Sequence, residues 1–145
     1  MRRIVTVTAL VAAGLAAFAA APARAEVQHY KAALTSAAET PPNASKASGA
    51  LTASYDTASK KLDWTVDYSG LTGPAVAAHF HGPAPAGKAA PIEVPLSGSL
   101  ASPIRGSATL TDAQAKDLTG GMMYFNIHTD ANKAGEIRGQ MEKAM

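Results

Sequence analysis

Two of the four histidines, His79 and His81, stand one residue apart in the stretch Ala78-His79-Phe80-His81-Gly82-Pro83. Imidazole is a common metal ligand and the side chain whose charge changes near neutral pH. On an extended strand, alternate side chains share a face. His79 and His81 therefore point one way, and Val76, Ala78 and Phe80 the other. A third imidazole, His128, falls in a run where Met123, Phe125 and Ile127 alternate with Tyr124, Asn126 and His128. If the two strands are neighbours in one sheet, three imidazoles converge. Three nitrogens with an open position suit Cu or Zn, so His79, His81 and His128 are candidate metal ligands. The plainer alternative is that they decorate a solvated sheet face, bonded to Asn126, Thr129 or backbone. His29 is assigned no role. The methionines Met122, Met123, Met141 and Met145 read as core filler rather than soft copper ligands.

A second polar group, Glu136, Arg138 and Gln140, alternates with Ile137 and is expected on the outer face of the last strand. It could contact an anion or other ligand there. Alternatively it forms a salt bridge or a backbone clamp on the loop at 130–134. No Gly-x-Ser-x-Gly elbow and no phosphate-cradling glycine loop occurs, so no catalytic residues are assigned.

The elements that must position these groups are mostly strands. Tyr30, Ala32 and Leu34 alternate with polar or small neighbours, as do Leu51, Ala53 and Tyr55. Lys61 to Tyr68 has the most regular alternation, with Leu62, Trp64, Val66 and Tyr68 inward and Asp63, Thr65 and Asp67 outward. Trp64 reads as a core anchor. Asp56-Thr57-Ala58-Ser59-Lys60 is a turn whose polar side chains bond their own backbone. Glu39-Thr40-Pro41-Pro42-Asn43 is a loop, and Asn43 within Asn43-Ala44-Ser45 reads as an ordinary loop residue rather than a glycosylation acceptor. Pro95 within Ile92-Glu93-Val94-Pro95-Leu96 marks an edge strand. Thr111-Asp112-Ala113-Gln114 has the form of a capping box opening one short helix, stopped by Gly120-Gly121. The expected fold is all-β: an antiparallel β-sandwich or flattened barrel, Greek-key-like, with about eight strands and one short helix.

Residues 1–25 read as a secretory leader: Arg2 and Arg3, an apolar run from Ile4 to Ala20, and an Ala-x-Ala pattern ending at Ala25. Residues 26–145 form the expected domain. Removal of Arg2, Arg3 and Arg24 with the leader, while all 11 acidic residues stay, turns the net charge from +2 to −1. That leaves no electrostatic case for nucleic acid, and no basic amphipathic stretch or membrane anchor is expected. The chain has no cysteine, so the domain does without disulfides. A periplasmic or extracellular location is expected.

Six stretches together resemble the CHRD (chordin-type) domain family. They are Glu39-Thr40-Pro41-Pro42, Ser69-Gly70-Leu71-Thr72, Ala78-His79-Phe80-His81-Gly82-Pro83-Ala84, Leu110-Thr111, Tyr124-Phe125-Asn126-Ile127-His128-Thr129 and Gly135-Glu136-Ile137-Arg138-Gly139-Gln140. They occur in the family's order. The resemblance implies an all-β domain used by bacteria as a stand-alone secreted protein, and it carries fold further than activity. Ala86-Gly87-Lys88-Ala89-Ala90-Pro91 departs from the Asn-Gly frequent in that loop. The histidine arrangement is also similar to that of copper–zinc superoxide dismutase, in which a His-x-His strand and a later histidine hold copper. The chain lacks that enzyme's bridging histidine, zinc loop and disulfide, which argues against dismutation. Two functions are thus expected. The first is a binding or interaction module for a protein or small ligand, without catalytic machinery. The second is a periplasmic Cu- or Zn-binding protein using the three histidines.

Overall fold

A computed structural model describes residues 24–145. The leader read at 1–25 lies outside the described residues except for its last two. The strands are β1 (Val27–Thr35), β2 (Ser48–Asp56), β3 (Lys61–Ser69), β4 (Ala75–His81), β5 (Ile92–Pro95), β6 (Ile104–Thr109), β7 (Tyr124–Thr129), β8 (Ile137–Gln140) and the two-residue β9 (Glu142–Lys143). One α-helix, α1 (Asp112–Thr119), precedes β7. A single 3-10 turn over Ser36–Ala38, not expected from the sequence, follows β1.

All pairings are antiparallel, and the strands form one sheet in the order β5-β4-β7-β8-β1-β2-β3-β6, with β9 beside β1. The sheet curls over on itself. Trp64 of β3 meets Phe80 of β4 edge-on at 5.0 Å between ring centres, although their strands lie far apart in the sheet. Phe80 meets Phe125 in the same way at 4.9 Å. Edge-to-face contacts suit the quadrupoles of aromatic rings. Burying side chains such as Leu34, Leu62, Phe80, Phe125 and Ile127, all within the core, contributes roughly 1.5–3 kcal/mol each. Gly106 sits opposite Trp64 in the β3–β6 register, and a Cβ there would fall 2.6 Å from the indole. That position needs glycine because the ring occupies the space.

The local signals of the sequence appear in the structure. The Asp56 carboxylate accepts from the backbone N–H groups of Ala58 and Ser59, closing the β2–β3 turn. Thr111 and Gln114 cap α1 reciprocally. Pro95 lies on β5, at one end of the sheet.

Two expectations about faces are corrected. Val76 was expected inward with Ala78 and Phe80 and is exposed. The β4–β7 register shifts between Ala75 and Ala77, and this bulge breaks the alternation at Val76. The outer face of β4, β7 and β8 was expected to be wet, yet His81, Asn126, Glu136 and Arg138 are buried. The segments at 36–47 and 82–91 fold over that face and hydrogen-bond to it. The domain therefore has an apolar interior and, behind part of the sheet, a second, polar layer.

Candidate metal centre

β4 and β7 are neighbours, as three-imidazole convergence requires. Ala77 pairs with His128, His79 with Asn126 and His81 with Tyr124. His79 therefore lies diagonally opposite His128, and all three histidines project from the same face. Donor atoms of His79, His81 and His128 lie within 4.8 Å of one another. His79 Nδ1 is 3.1 Å from His128 Nε2.

The second nitrogens are anchored. The His81 ring, at Nδ1, donates to the Ala90 carbonyl at 3.0 Å. The His128 ring, at Nδ1, donates to the Lys133 carbonyl at 2.8 Å. A carbonyl can only accept, so each contact places a proton on Nδ1, and in the neutral ring the lone pair sits on Nε2. For His81 that Nε2 is buried and has no hydrogen-bond partner. His128 Nε2 faces the Asn126 side-chain amide at 3.0 Å. Oδ1 only accepts, so with the proton on Nδ1 the amide must turn to present its Nδ2–H, and His128 can ligate only when that contact opens.

Burial lowers the His79 pKa, and the neighbouring His128 and His81 add to the effect. Burial likewise lowers that of His81. The Ala90 carbonyl and the nearby Asn126 side chain, which lies outside hydrogen-bond geometry to Nε2, work against it, and the charges of His128 and Arg138 add to it. Both shifts favour the neutral imidazole, the form that ligates a metal. A metal held at about 2.0–2.1 Å from each nitrogen needs its donors closer together than the widest separation here. Ligation would therefore require the half-buried His79 and His128 rings to turn toward His81 Nε2. A buried lone pair with no partner, beside two more imidazole nitrogens, fits such an ion.

The second polar group falls apart into separate roles. Glu136 is fully buried, 0% exposed. Its Oε1 accepts from Ser45 Oγ at 2.6 Å and Thr72 N at 2.9 Å, and its Oε2 from Thr72 Oγ1 at 2.8 Å and Thr129 Oγ1 at 2.6 Å. Burial pushes against ionisation, but the donors from Ser45, Thr129 and Thr72 outweigh it and bring the pKa down to about 2. Arg138 donates to Thr40 Oγ1 and to the Lys88 carbonyl. Gln140 donates to the carbonyls of Ala84 and Gly121. Glu136 and Arg138 are buried, and Gln140 is half-buried. Glu136 comes closest to the clamp alternative, holding the end of β7 at Thr129 and the loops at Ser45 and Thr72 rather than the loop at 130–134. His29 lies on β1, exposed and apart from the three histidines.

Sequence reasoning missed three supporting groups. Tyr124 stacks on His81 at 4.8 Å with planes 2° apart. Asn43 donates to the carbonyls of Gly135 and Glu136. Glu39 is buried beside Arg138, and burial raises its pKa to about 7 against the pull of that guanidinium. Tyr124 was accessible from the alternation that places it with Asn126 and His128. Glu39 stands in one of the six family stretches and Asn43 in the loop after it, but no spacing joins either to the residues it supports at 135–138.

No helix among the described residues is long and apolar enough to cross a membrane. No curated protein and no solved structure matches the chain. Residues 30–141 match the CHRD domain, a span that contains all six stretches. The match spans most of the chain, and the protein belongs to the CHRD domain family.

Proposed function

We propose that this CHRD-domain protein is a secreted metal-binding module in which His79, His81 and His128 hold a single Cu or Zn ion. The buried, unpartnered Nε2 of His81 carries the reading. A desolvated lone pair without a partner costs free energy, and a metal ion is the occupant that also uses the two imidazoles beside it. An all-nitrogen set suits both metals, and the general affinity order of divalent ions favours copper. The leader-like residues 1–25 and the family membership support secretion. Protein recovered from outside the cytoplasm is expected to begin at Glu26.

Calorimetric titration with Cu(II) and Zn(II) tests the metal reading. One ion per chain is expected, with uptake lost in the His79→Ala/His81→Ala double variant. Binding no tighter than about millimolar, roughly 4 kcal/mol, ends it.

A second reading, a module that binds a protein or small ligand without chemistry, is favoured by a cleft of about 370 Å³ lined by Glu39, Thr40, Pro42, Ala86, Arg138 and Gln140. Under that reading, captured ligand is retained when all three histidines are replaced and is lost when Pro42 or Ala86 is replaced by a bulky residue.

A further inference from the structure

Arg138 is 2% exposed, and among the described residues it forms no ion pair with a carboxylate. The buried Glu39 carboxyl lies beside it but outside ion-pair distance. A buried charge so weakly balanced is costly, so its contacts are informative. Its Nη1 donates to Thr40 Oγ1 at 2.8 Å and its Nη2 to the Lys88 carbonyl at 2.7 Å. Its Cζ lies 3.4 Å from the centre of the Tyr124 ring, a cation–π contact. β7 lies between β4 and β8, so the guanidinium and the His81 imidazole flank the Tyr124 ring from opposite sides.

The loop that Arg138 grips at Lys88 also carries Ala90. The Ala90 carbonyl accepts from His81, and the Ala90 N–H donates to the Tyr124 hydroxyl at 3.1 Å. The orientation of the His81 ring thus rests on two contacts, a stacked phenol and a loop carbonyl. Arg138 touches both supports. His79 has no such backing: its ring nitrogen meets only the neighbouring His128.

Building on the three-histidine reading above, we propose that Arg138 and Tyr124 are positioning residues for His81. They form a guanidinium–phenol–imidazole column across β8, β7 and β4 that holds Nε2 presented to the metal. The column needs the planar fork of arginine, which spans the carbonyl and the ring together; an ammonium is a point charge without that shape.

The test compares Arg138→Met, Arg138→Lys, Tyr124→Leu and Tyr124→Phe with the unaltered protein, using Cu(II) alone as the probe. Affinity is expected to fall by about 10- to 100-fold in Arg138→Met and Tyr124→Leu, the usual cost of losing a group that orients a ligand. Arg138→Lys should recover little of it. The electron paramagnetic resonance spectrum of bound Cu(II) should change from three coupled imidazole nitrogens toward two. Variants with an unaltered melting transition that keep both affinity and spectrum overturn the proposal. If Arg138→Met does not fold, the Tyr124 variants decide. Tyr124→Phe, which removes only the bridge to Ala90, is expected to lose affinity a few-fold, and unaltered binding in both Tyr124 variants overturns the column. If the unaltered protein takes up no Cu(II), the metal reading fails on its own. The column is then read in metal-free protein from the nitrogen chemical shifts of His81. A single Nδ1–H tautomer that gives way to a mixture in the variants supports it, and an unchanged tautomer overturns it.

Discussion

Two polar clusters behind the sheet, one around Glu136 in the turn between β7 and β8 and one formed by His79 and His81 of β4 with His128 of β7, differ in one respect. At Glu136 every carboxylate oxygen is engaged, by four donors from Ser45, Thr72 and Thr129. At the histidines, supporting contacts hold the rings by Nδ1, while His81 Nε2 is left buried and unused. Both clusters are polar and packed behind the same sheet. The first has no capacity left for a ligand, so its effect is confined to holding loops and strand ends together. The second is organised around a vacant lone pair. Burial of polar groups alone therefore does not mark a functional site; incomplete pairing within an otherwise supported cluster does.

The largest effects should separate the two clusters cleanly. His81→Ala is expected to weaken Cu(II) binding by about a thousand-fold, roughly 4 kcal/mol, while changing the stability of the metal-free protein by about 1 kcal/mol. Glu136→Ala should do the reverse. It strands four donors behind the sheet and should cost about 3–5 kcal/mol of folding stability, with Cu(II) affinity unchanged in the folded fraction. Titration calorimetry and urea unfolding read the two quantities separately. If Glu136→Ala abolishes metal binding in folded protein, the clusters are one unit and the contrast fails.

Acid should expose the same difference. The Glu136 carboxyl has a pKa near 2 in the folded protein against an ordinary value of 4.5. Its ionised form is favoured by folding, so its contribution is complete above pH 4.5 and is lost as pH falls toward 2. A shift of that size corresponds to about 3 kcal/mol. Urea unfolding of metal-free protein at stepwise lower pH should show this acid limb, and Glu136→Gln should flatten it.

Much of the architecture was legible because it is written in short-range pattern. The two-residue rhythm from Lys61 to Tyr68, the turn at Asp56 and the capping box at Thr111 each depend on residues a few positions apart. So did the sharing of a face by His79 and His81, and by Tyr124, Asn126 and His128. The unread part depends on chain segments brought in from elsewhere. An alternation of polar with apolar residues looks the same whether the polar face meets water or a loop, so nothing in Ile137-Arg138-Gly139-Gln140 disclosed that 36–47 and 82–91 would cover it. The four donors to Glu136 come from positions 45, 72 and 129, and no spacing joins them to 136. A bulge at Val76 leaves no composition signal at all.

Glu39 sharpens the contrast from a third position. Like His81 it is buried with an unpartnered atom, Oε1, yet it carries an acid whose pKa burial raises to about 7. The folded protein holds this proton more tightly than the unfolded chain, so stability attributable to Glu39 falls as pH rises from 4.5 through 7. Glu93, raised to about 7 by burial and by Asp117, acts in the same direction. Glu39→Gln keeps the shape and removes the titration. It is expected to raise stability at pH 8 by about 1–3 kcal/mol and to reduce the decline between pH 4.5 and 7, measured by urea unfolding. No gain at pH 8 means that the carboxylate is accommodated where it lies, and incomplete pairing then loses its value as a marker at this position.

The smallest effect tests whether the satisfied cluster reaches beyond its carboxylate. Asn43 Nδ2 donates to the carbonyls of Gly135 and Glu136 at 3.3 and 3.0 Å, and its Oδ1 accepts from Ser45 N at 3.0 Å. It thus ties the backbone at Glu136 to the residue whose hydroxyl serves the Glu136 side chain. Asn43→Ala removes these bonds at a half-buried position that solvent can partly re-satisfy, so the expected loss is about 1 kcal/mol. Combined with Glu136→Ala, the loss should be less than the sum of the two, because Ser45 no longer has a carboxylate to be held against. Strict additivity in that double-variant cycle means that Asn43 supports only the loop. Coupling of about 0.5 kcal/mol or more means that the closed cluster is one cooperative clamp, whose pairing extends from the side chain into the backbone.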